Sequence, residues 1–482
     1  MLHFQPILYV VGLLLAIMAV GMCVPAAVDL YFGNRGWQAF ATSAGLTLFI
    51  GIGLALTNHA PQIRLTIRQA FVLTTLSWFV LTIFAALPLS FSELNLSYTD
   101  AFFEAMSGVT TTGSTVIIGL DTAPPGVLLW RSMLQWLGGV GIVVMAIGVM
   151  PMLKVGGMQL FRTESSEKSE KAMPRVTQIV TAIVVIYLVL SAIWVVLYWA
   201  AGMGIFDAVI HTMTTLATGG FSSYDNSLAH FDNWRIDLVT TCGMFIGGLP
   251  FVLILKTAQG EKAALFRDSQ VQAYVAVVVG LVLACAAFLW LRNGVEPVLA
   301  LRHASFNLIS VMTGTGYATS DFYRWGSFAV PLFFFAMFIG GCAGSTTCGM
   351  KIFRFQVLYA AARTQIRHLF HPHGVFIPYY NHRPIPPDVI ESVLSFFFVF
   401  ILCFALLAIG LGMLGLDYLT AISGAATAIC NVGPGLGEII GPAGNFSTLP
   451  DAAKWMLSAG MLLGRLELFT VIVMFSRTFW RG

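Results

Sequence analysis

DAFFEAMSGVTTTG (residues 100–113) can be laid without a gap over DAVIHTMTTLATGG (207–220), HASFNLISVMTGTG (303–316) and TAISGAATAICNVG (420–433). Every copy has alanine in its second place (Ala101, Ala208, Ala304, Ala421) and closes on glycine (Gly113, Gly220, Gly316, Gly433). The residues between read as a helix, but one shorter than the roughly 20 residues a helix needs to cross a bilayer. A few residues beyond each glycine stands an acid: Asp121, Asp225, Asp321 or Glu438. A long apolar segment follows, broken by small residues: LGGVG near Gly139, IGGLP near Gly248, IGGCAG near Gly341 and LLGRLE near Gly464. One polar stretch such as TTTGS (110–114) reads equally as a turn between helices. Four aligned copies, each with a short helix before and an acid after, argue for a shared structural purpose.

The surroundings of these stretches are oily. Of 482 residues, 57% are hydrophobic and 10% charged, against about 25% charged in an average soluble domain. The excess apolar surface must face lipid. Apolar runs at 7–28, 39–56, 70–89, 127–150 and 176–197 are of spanning length. The first has no basic leader and no convincing cleavage site, so it reads as a retained span. Seven scattered cysteines without metal-ligand spacing read as small buried residues. A net charge of +3 without a basic, aromatic-interleaved cluster gives no support for nucleic acid binding. The basic residues gather in four loops: Arg64 and Arg68; Lys154 to Arg175; Lys256, Lys262 and Arg267; and Lys351 to Arg383. These loops are expected in the cytoplasm, together with both termini.

The expected fold class is therefore an all-α polytopic membrane protein. Four tandem helix–pore-helix–loop–helix repeats surround a central pore, after an N-terminal two-helix hairpin. The expected boundaries are 1–60 for the hairpin, 61–165, 166–265 and 266–370 for three repeats, and 371–482 for a cytoplasmic loop with the fourth. Non-helical backbone is tolerated at membrane depth only when buried in protein or lining a cavity. Four such loops could replace the water shell of a cation with carbonyl oxygens. Helix C-termini aimed at the axis would add partial negative charge, and the four acids would concentrate cations at the mouth.

The motifs TTTGST, LATGGFSSYDNS, MTGTGYATSDF and CNVGPGLGEIIGP, with GGCAGSTTCGMK after the third, resemble the membrane subunit of Trk-type potassium uptake systems. The superfamily also holds the Ktr and plant HKT transporters. The resemblance spans essentially the whole chain, and the extra hairpin at 7–56 favours Trk over Ktr. It implies that each repeat is a divergent potassium-channel pore unit. The implied filter residues are Thr111, Thr112 and Gly113; Thr218, Gly219 and Gly220; Gly314, Thr315 and Gly316; and Asn431, Val432 and Gly433. All four closing residues are glycine, which by the resemblance favours potassium as the substrate ion. The Thr-Val-Gly-Tyr-Gly consensus is degraded in every copy, implying fewer bound ions and weaker discrimination. The resemblance further implies a homodimer, each subunit with its own pore, on a cytosolic nucleotide-binding ring, in a bacterial inner membrane.

Two features read as gates. Arg465 is a charge inside the last span, and aligning the four breaks sets it against Val140, Leu249 and Cys342, facing the pore below the filter. The alternative is snorkelling or a pair with Glu467. Gly340, Gly341, Gly344, Ser345, Thr346, Thr347 and Gly349 make a poor helix interior. They should break the third repeat's last helix into a flexible loop beneath the filter, the alternative being close helix packing through small residues. Glu104, His211 and Asn307 share one place in three short helices and should hold the filter loops. His371, His373 and His382 read as a solvated or partner-contacting loop. No Cys-x-x-Cys, His-Glu-x-x-His or Walker loop is present, so no enzyme is expected and no cofactor beyond the transported ion. The leading expectation is a gated potassium pore; the alternative is a potassium symporter coupled to protons or sodium.

Overall fold

The structure, a computed structural model, describes residues 3–59, 65–148, 157, 160, 172–381 and 383–481. Arg64, Lys154, Arg162, Lys168, Lys171 and His382 lie outside the described residues, as do the expected boundaries at 60/61 and 165/166. Seven described helices are long and apolar enough to cross a membrane. Their outward faces carry side chains such as Ile17, Phe49, Val196 and Phe398, as a lipid-facing surface requires.

The first two helices, Gln5–Tyr31 and Trp37–Thr57, form the hairpin. They cross where glycine meets glycine. A Cβ added to Gly12 would stand 2.7 Å from Gly51 O, and one added to Gly51 would stand 2.9 Å from Gly12 O. Small residues allow that close backbone approach. The hairpin is tied to the remainder by Asp29, buried, whose Oδ1 accepts a 2.6 Å hydrogen bond from Gly126 N. Gly126 lies in the first turn of the helix Pro125–Gly148, where N–H groups lack partners inside the helix and the dipole favours a carboxylate.

Four repeats then follow the same order. The outer helices are Ile67–Ala85, Ala172–Ala200, Ser269–Asn293 and Pro387–Met413. The short helices are Tyr98–Val109, Ile205–Leu216, Pro297–Met312 and Tyr418–Cys430. Caps set two of their starts: Ser97 Oγ accepts from Asp100 N (3.1 Å), and Asp417 accepts from Thr420 N (3.1 Å). The closing helices differ. Pro125–Gly148 is continuous. Trp234–Gly247 bends by 101° into Phe251–Ala258, and Asp451–Arg465 bends by 106° into Phe469–Phe475. The third, Ala329–Phe338, stops, and the chain resumes as a helix only at Ile352–Phe370. A two-residue strand pair, Tyr379–Tyr380 with Arg383–Pro384, sits in the loop after it.

The cysteines depart in part from the expectation of burial. Cys285, Cys342, Cys348 and Cys430 are buried, but Cys23 and Cys242 are exposed. Both exposed residues lie on apolar helices, where a small thiol facing lipid costs little.

Candidate filter and its supports

Each short helix ends in the same backbone manoeuvre. Two residues before the closing glycine the chain turns left-handed: φ is 53° at Thr111, 50° at Thr218, 71° at Gly314 and 52° at Asn431. The closing glycines follow with φ of 89° at Gly113, 77° at Gly220, 82° at Gly316 and 107° at Gly433. Three non-glycine residues in this region are strained by about 1 kcal/mol or more each. Strain repeated at matched places reflects a backbone path that surrounding contacts impose.

Those contacts close a ring. A Cβ added to Gly113 would lie 2.2 Å from Gly219 O; at Gly220, 1.8 Å from Thr315 O; at Gly316, 2.2 Å from Val432 O; and at Gly433, 2.9 Å from Thr112 O. Each glycine therefore abuts the carbonyl of the residue preceding the next repeat's glycine, and the fourth repeat returns to the first. The ring is further stitched by Ser114 Oγ donating to Gly433 O (2.7 Å) and by Asn431 Nδ2 donating to Thr112 Oγ1 (2.9 Å). Among the described residues, Thr111 Oγ1 and Asn431 Oδ1 are buried oxygens without a hydrogen-bond partner. All four closing glycines line one cavity of about 70 Å³, which Asp225 also lines.

The chain leaving each glycine is held by its own short helix. Glu104 Oε2 accepts from Val116 N (2.9 Å), and Thr115 Oγ1 donates to Glu104 Oε1 (3.0 Å). His211 Nε2 meets Ser222 Oγ (3.1 Å), and Asn307 Nδ2 donates to Thr319 Oγ1 (2.9 Å). The fourth copy has Gly424 at this place, and its neighbour Ser423 substitutes, accepting from Leu436 N (2.9 Å). Glu104 also pairs with buried Arg131 at 2.7 Å, and Arg131 reaches across to Ser222 O at 3.0 Å.

The four acids are placed unequally. Both oxygens of Asp225 accept backbone hydrogen bonds from repeat 1, from Gly119 N and Leu120 N, at 3.0 Å each. Asp121 is 3.9 Å from His230 Nδ1, which stacks on Tyr224 at 3.5 Å between centroids. Asp321 caps Tyr323 N and pairs with Arg324, while Glu438 is exposed. Asp121, Asp321 and Glu438 are not among the cavity's lining residues.

Below the ring, residues 339–351 form the break in the third closing helix, and it is pinned rather than loose. Its neck is closed by Gly340 N donating to Met350 O (2.9 Å) and Met350 N donating to Phe338 O (3.0 Å). Cys342 N donates to Gly248 O (2.9 Å), Thr346 N to Gly247 O (3.1 Å), and Ala343 N to Gln270 Oε1 (2.7 Å). Lys351 Nζ folds back onto Thr347 O. The helix breaks where the sequence sets the break, and the bend in the second closing helix leaves carbonyls at Gly247 and Gly248 that the loop's N–H groups satisfy.

Arg465 is 1% exposed. It donates to Thr346 O (3.1 Å) in the loop and to Gly138 O (2.9 Å) in the first closing helix, and also touches Cys348 Sγ. Glu467 pairs with Arg354 instead. The register of the four breaks needs correction by one residue. Gly138 and Gly464 pack on Val109 O and Ile429 O, the last turns of their own short helices. Gly139 and Gly248 pack on the hydroxyls of Tyr187 and Tyr274, which donate to Trp136 O and Phe245 O. Arg465 therefore occupies the place of Gly139 and Gly248, not of Val140 and Leu249. A small cavity beneath it is lined by Gly344, Ser345, Thr347, Cys348, Gly349 and Lys351, with Arg465 and Glu467.

Gln135 and Arg131 had no signal in the repeat alignment. They lie on one face of the first closing helix; Gln135 bonds only to repeat 2, while Arg131 joins Glu104 of its own repeat to Ser222 O of repeat 2. Among the described residues no group of three or more His, Cys, Asp and Glu comes together. Of the loop histidines, His371 and His373 are exposed.

One chain that folds four helix–loop–helix repeats into a closed ring, inside a shell of apolar helices, has the architecture of a membrane transport protein. Residues 36–481 match the family described as TrkH, cation transport protein, and the chain belongs to that family. It is 45% identical over 481 residues to the Trk system potassium uptake protein TrkI of Halomonas elongata, covering 99% of this chain and 97% of that one. It is 37% identical over 485 residues to the Trk system potassium uptake protein TrkH of Escherichia coli (strain K12), covering 100% of both. The crystal structure of the potassium transporter TrkH from Vibrio parahaemolyticus superposes with a TM-score of 0.92 at 36% identity, over 100% of both chains.

Proposed function

We propose that this protein takes up potassium across a bacterial inner membrane through the four-strand ring, down the ion's electrochemical gradient. The observation that carries the reading is the cyclic contact of the four closing glycines with their neighbours' carbonyls. An uncharged ring rich in carbonyl oxygen suits a monovalent cation shedding water. Potassium comes from the relatives' names and from glycine in all four closing places. The loop at 339–351 and Arg465 form the gate: a guanidinium bonded to a loop carbonyl holds the loop under the ring. Basic loops and both termini face the cytoplasm, where the 352–370 helix offers Arg363, Arg367, Leu369 and Phe370 to a nucleotide-binding regulatory ring. The working form is a homodimer with one pore per chain.

Coupling to protons or sodium is the competing reading. Glu467, the carboxylate it would use, is engaged by Arg354. Purified protein in vesicles separates the two readings. Uptake of potassium or rubidium should follow the potassium gradient and ignore imposed pH and sodium gradients. Uptake that requires either gradient would replace the pore with a symporter.

A further inference from the structure

The ring is not equally supported on its four sides. Gln135, fully buried in the first closing helix, lies across the second strand. Its Nε2 donates to Gly219 O at 2.6 Å, and its Oε1 accepts from Phe221 N at 3.0 Å. The two bonds bracket Gly220, and they fix the amide's orientation, since only the nitrogen can donate and only the oxygen can accept. The fit leaves no slack: a Cβ added to Gly219 would stand 2.4 Å from Gln135 Cδ. One turn earlier, Arg131 bonds Ser222 O and lies 4.0 Å over the Phe221 ring. The matching places on the second and fourth closing helices, in the corrected register, hold Met244 and Met461, both buried and apolar.

We infer that Gln135 is a specificity-determining positioning residue: it sets where the Gly219 carbonyl stands in the ring, and so how well potassium is told from sodium. The inference rests on the filter reading given above. Its physical basis is local. The Gly219 oxygen is the one that abuts Gly113, so its position sets the spacing between repeats 1 and 2. A hydrogen bond between neutral groups fixes that position without adding charge to the ring. Lost, it leaves a carbonyl free to rotate toward a smaller ion.

Vesicle uptake by the full-length protein tests this, with the potassium-to-sodium ratio as readout. Gln135→Met copies the residue found at the matching places. Gln135→Leu removes both the donor to Gly219 O and the acceptor for Phe221 N at nearly the same volume. Both variants should lower the ratio by roughly three- to tenfold, the value of one buried hydrogen bond. Gly220→Ser, measured alongside, reports on the filter itself. A parental ratio in both Gln135 variants, where Gly220→Ser lowers it, overturns the role of Gln135 alone. A parental ratio in all three overturns the filter reading as well. Should Gln135→Met not accumulate, the nearly isosteric Gln135→Leu decides.

Discussion

At Gly113 two constraints coincide. Its φ of 89° is in the left-handed region, and its missing Cβ leaves room for Gly219 O. Serine there must displace the neighbouring strand or its own. Gly113→Ser should therefore lower potassium-over-sodium selectivity in competition uptake, with membrane expression near normal, because the change is confined to one contact of the ring. Arg465 makes the opposite kind of contribution. Its bonds to Thr346 O and Gly138 O tie the loop to the first closing helix, and hydrogen bonds from a charged donor are worth about 1.5–3 kcal/mol. Arg465→Ala should raise rubidium flux by roughly tenfold or more at equal expression; unchanged flux would remove Arg465 from the gate. Glu104 is the residue on which stability depends most directly. Removing one partner of a buried ion pair costs about 3–5 kcal/mol, so Glu104→Ala should lower the melting temperature in detergent, and Glu104→Gln, which keeps an acceptor but still leaves Arg131 without its counter-charge, should lower it somewhat less. The glycines, Arg465 and the Glu104, His211, Asn307 series were all legible in the sequence, because repetition exposes matched residues and a charge in an apolar run is conspicuous. Gln135 and Arg131 were not. Each is a single polar residue that reaches into the second repeat, Gln135 to Gly219 O and Phe221 N and Arg131 from Glu104 across to Ser222 O, and no spacing along the chain encodes those contacts.

Among elements, the break at 339–351 shows where legibility ended. Its glycines and hydroxyls announce that no helix continues through Gly340. They do not announce what the loop bonds to, because those acceptors, Gly247 and Gly248, become available only through the 101° bend in a different helix. Glycine content suggested looseness, whereas Gly340 serves close approach: a Cβ there would stand 2.0 Å from Cys348 O. Deleting 344–347 removes Thr346, with its bonds to Gly247 O and Arg465, and removes the acceptor of Lys351 at Thr347. The shortened protein should leak, with higher basal rubidium flux in vesicles lacking any partner; lower or equal flux would mean the loop supports the pore rather than obstructs it.

For the molecule as a whole, the hairpin packs through its first helix along Ile67–Ala85 and Pro125–Gly148, and the buried Asp29 adds a polar tie to Gly126 N. Asp29→Asn keeps the acceptor but drops the charge that favours a helix start, an effect of about 0.3–1 kcal/mol and up to about 2 when buried. A fall of a few degrees in the unfolding midpoint, with uptake selectivity unchanged, is the expected result; altered selectivity would tie the hairpin to the ring. Fold class followed from composition and repetition, while the way the layers are fastened needed three dimensions. The ring's origin in one chain has a further consequence. A symmetric tetramer carries every substitution four times, so any change in an ion's binding energy is multiplied and most variants are extreme. Here each strand is altered alone, in dose units of one quarter. Four different tolerances are therefore open to the four strands, and a discrimination profile can be adjusted in small steps that a symmetric assembly has no means of taking.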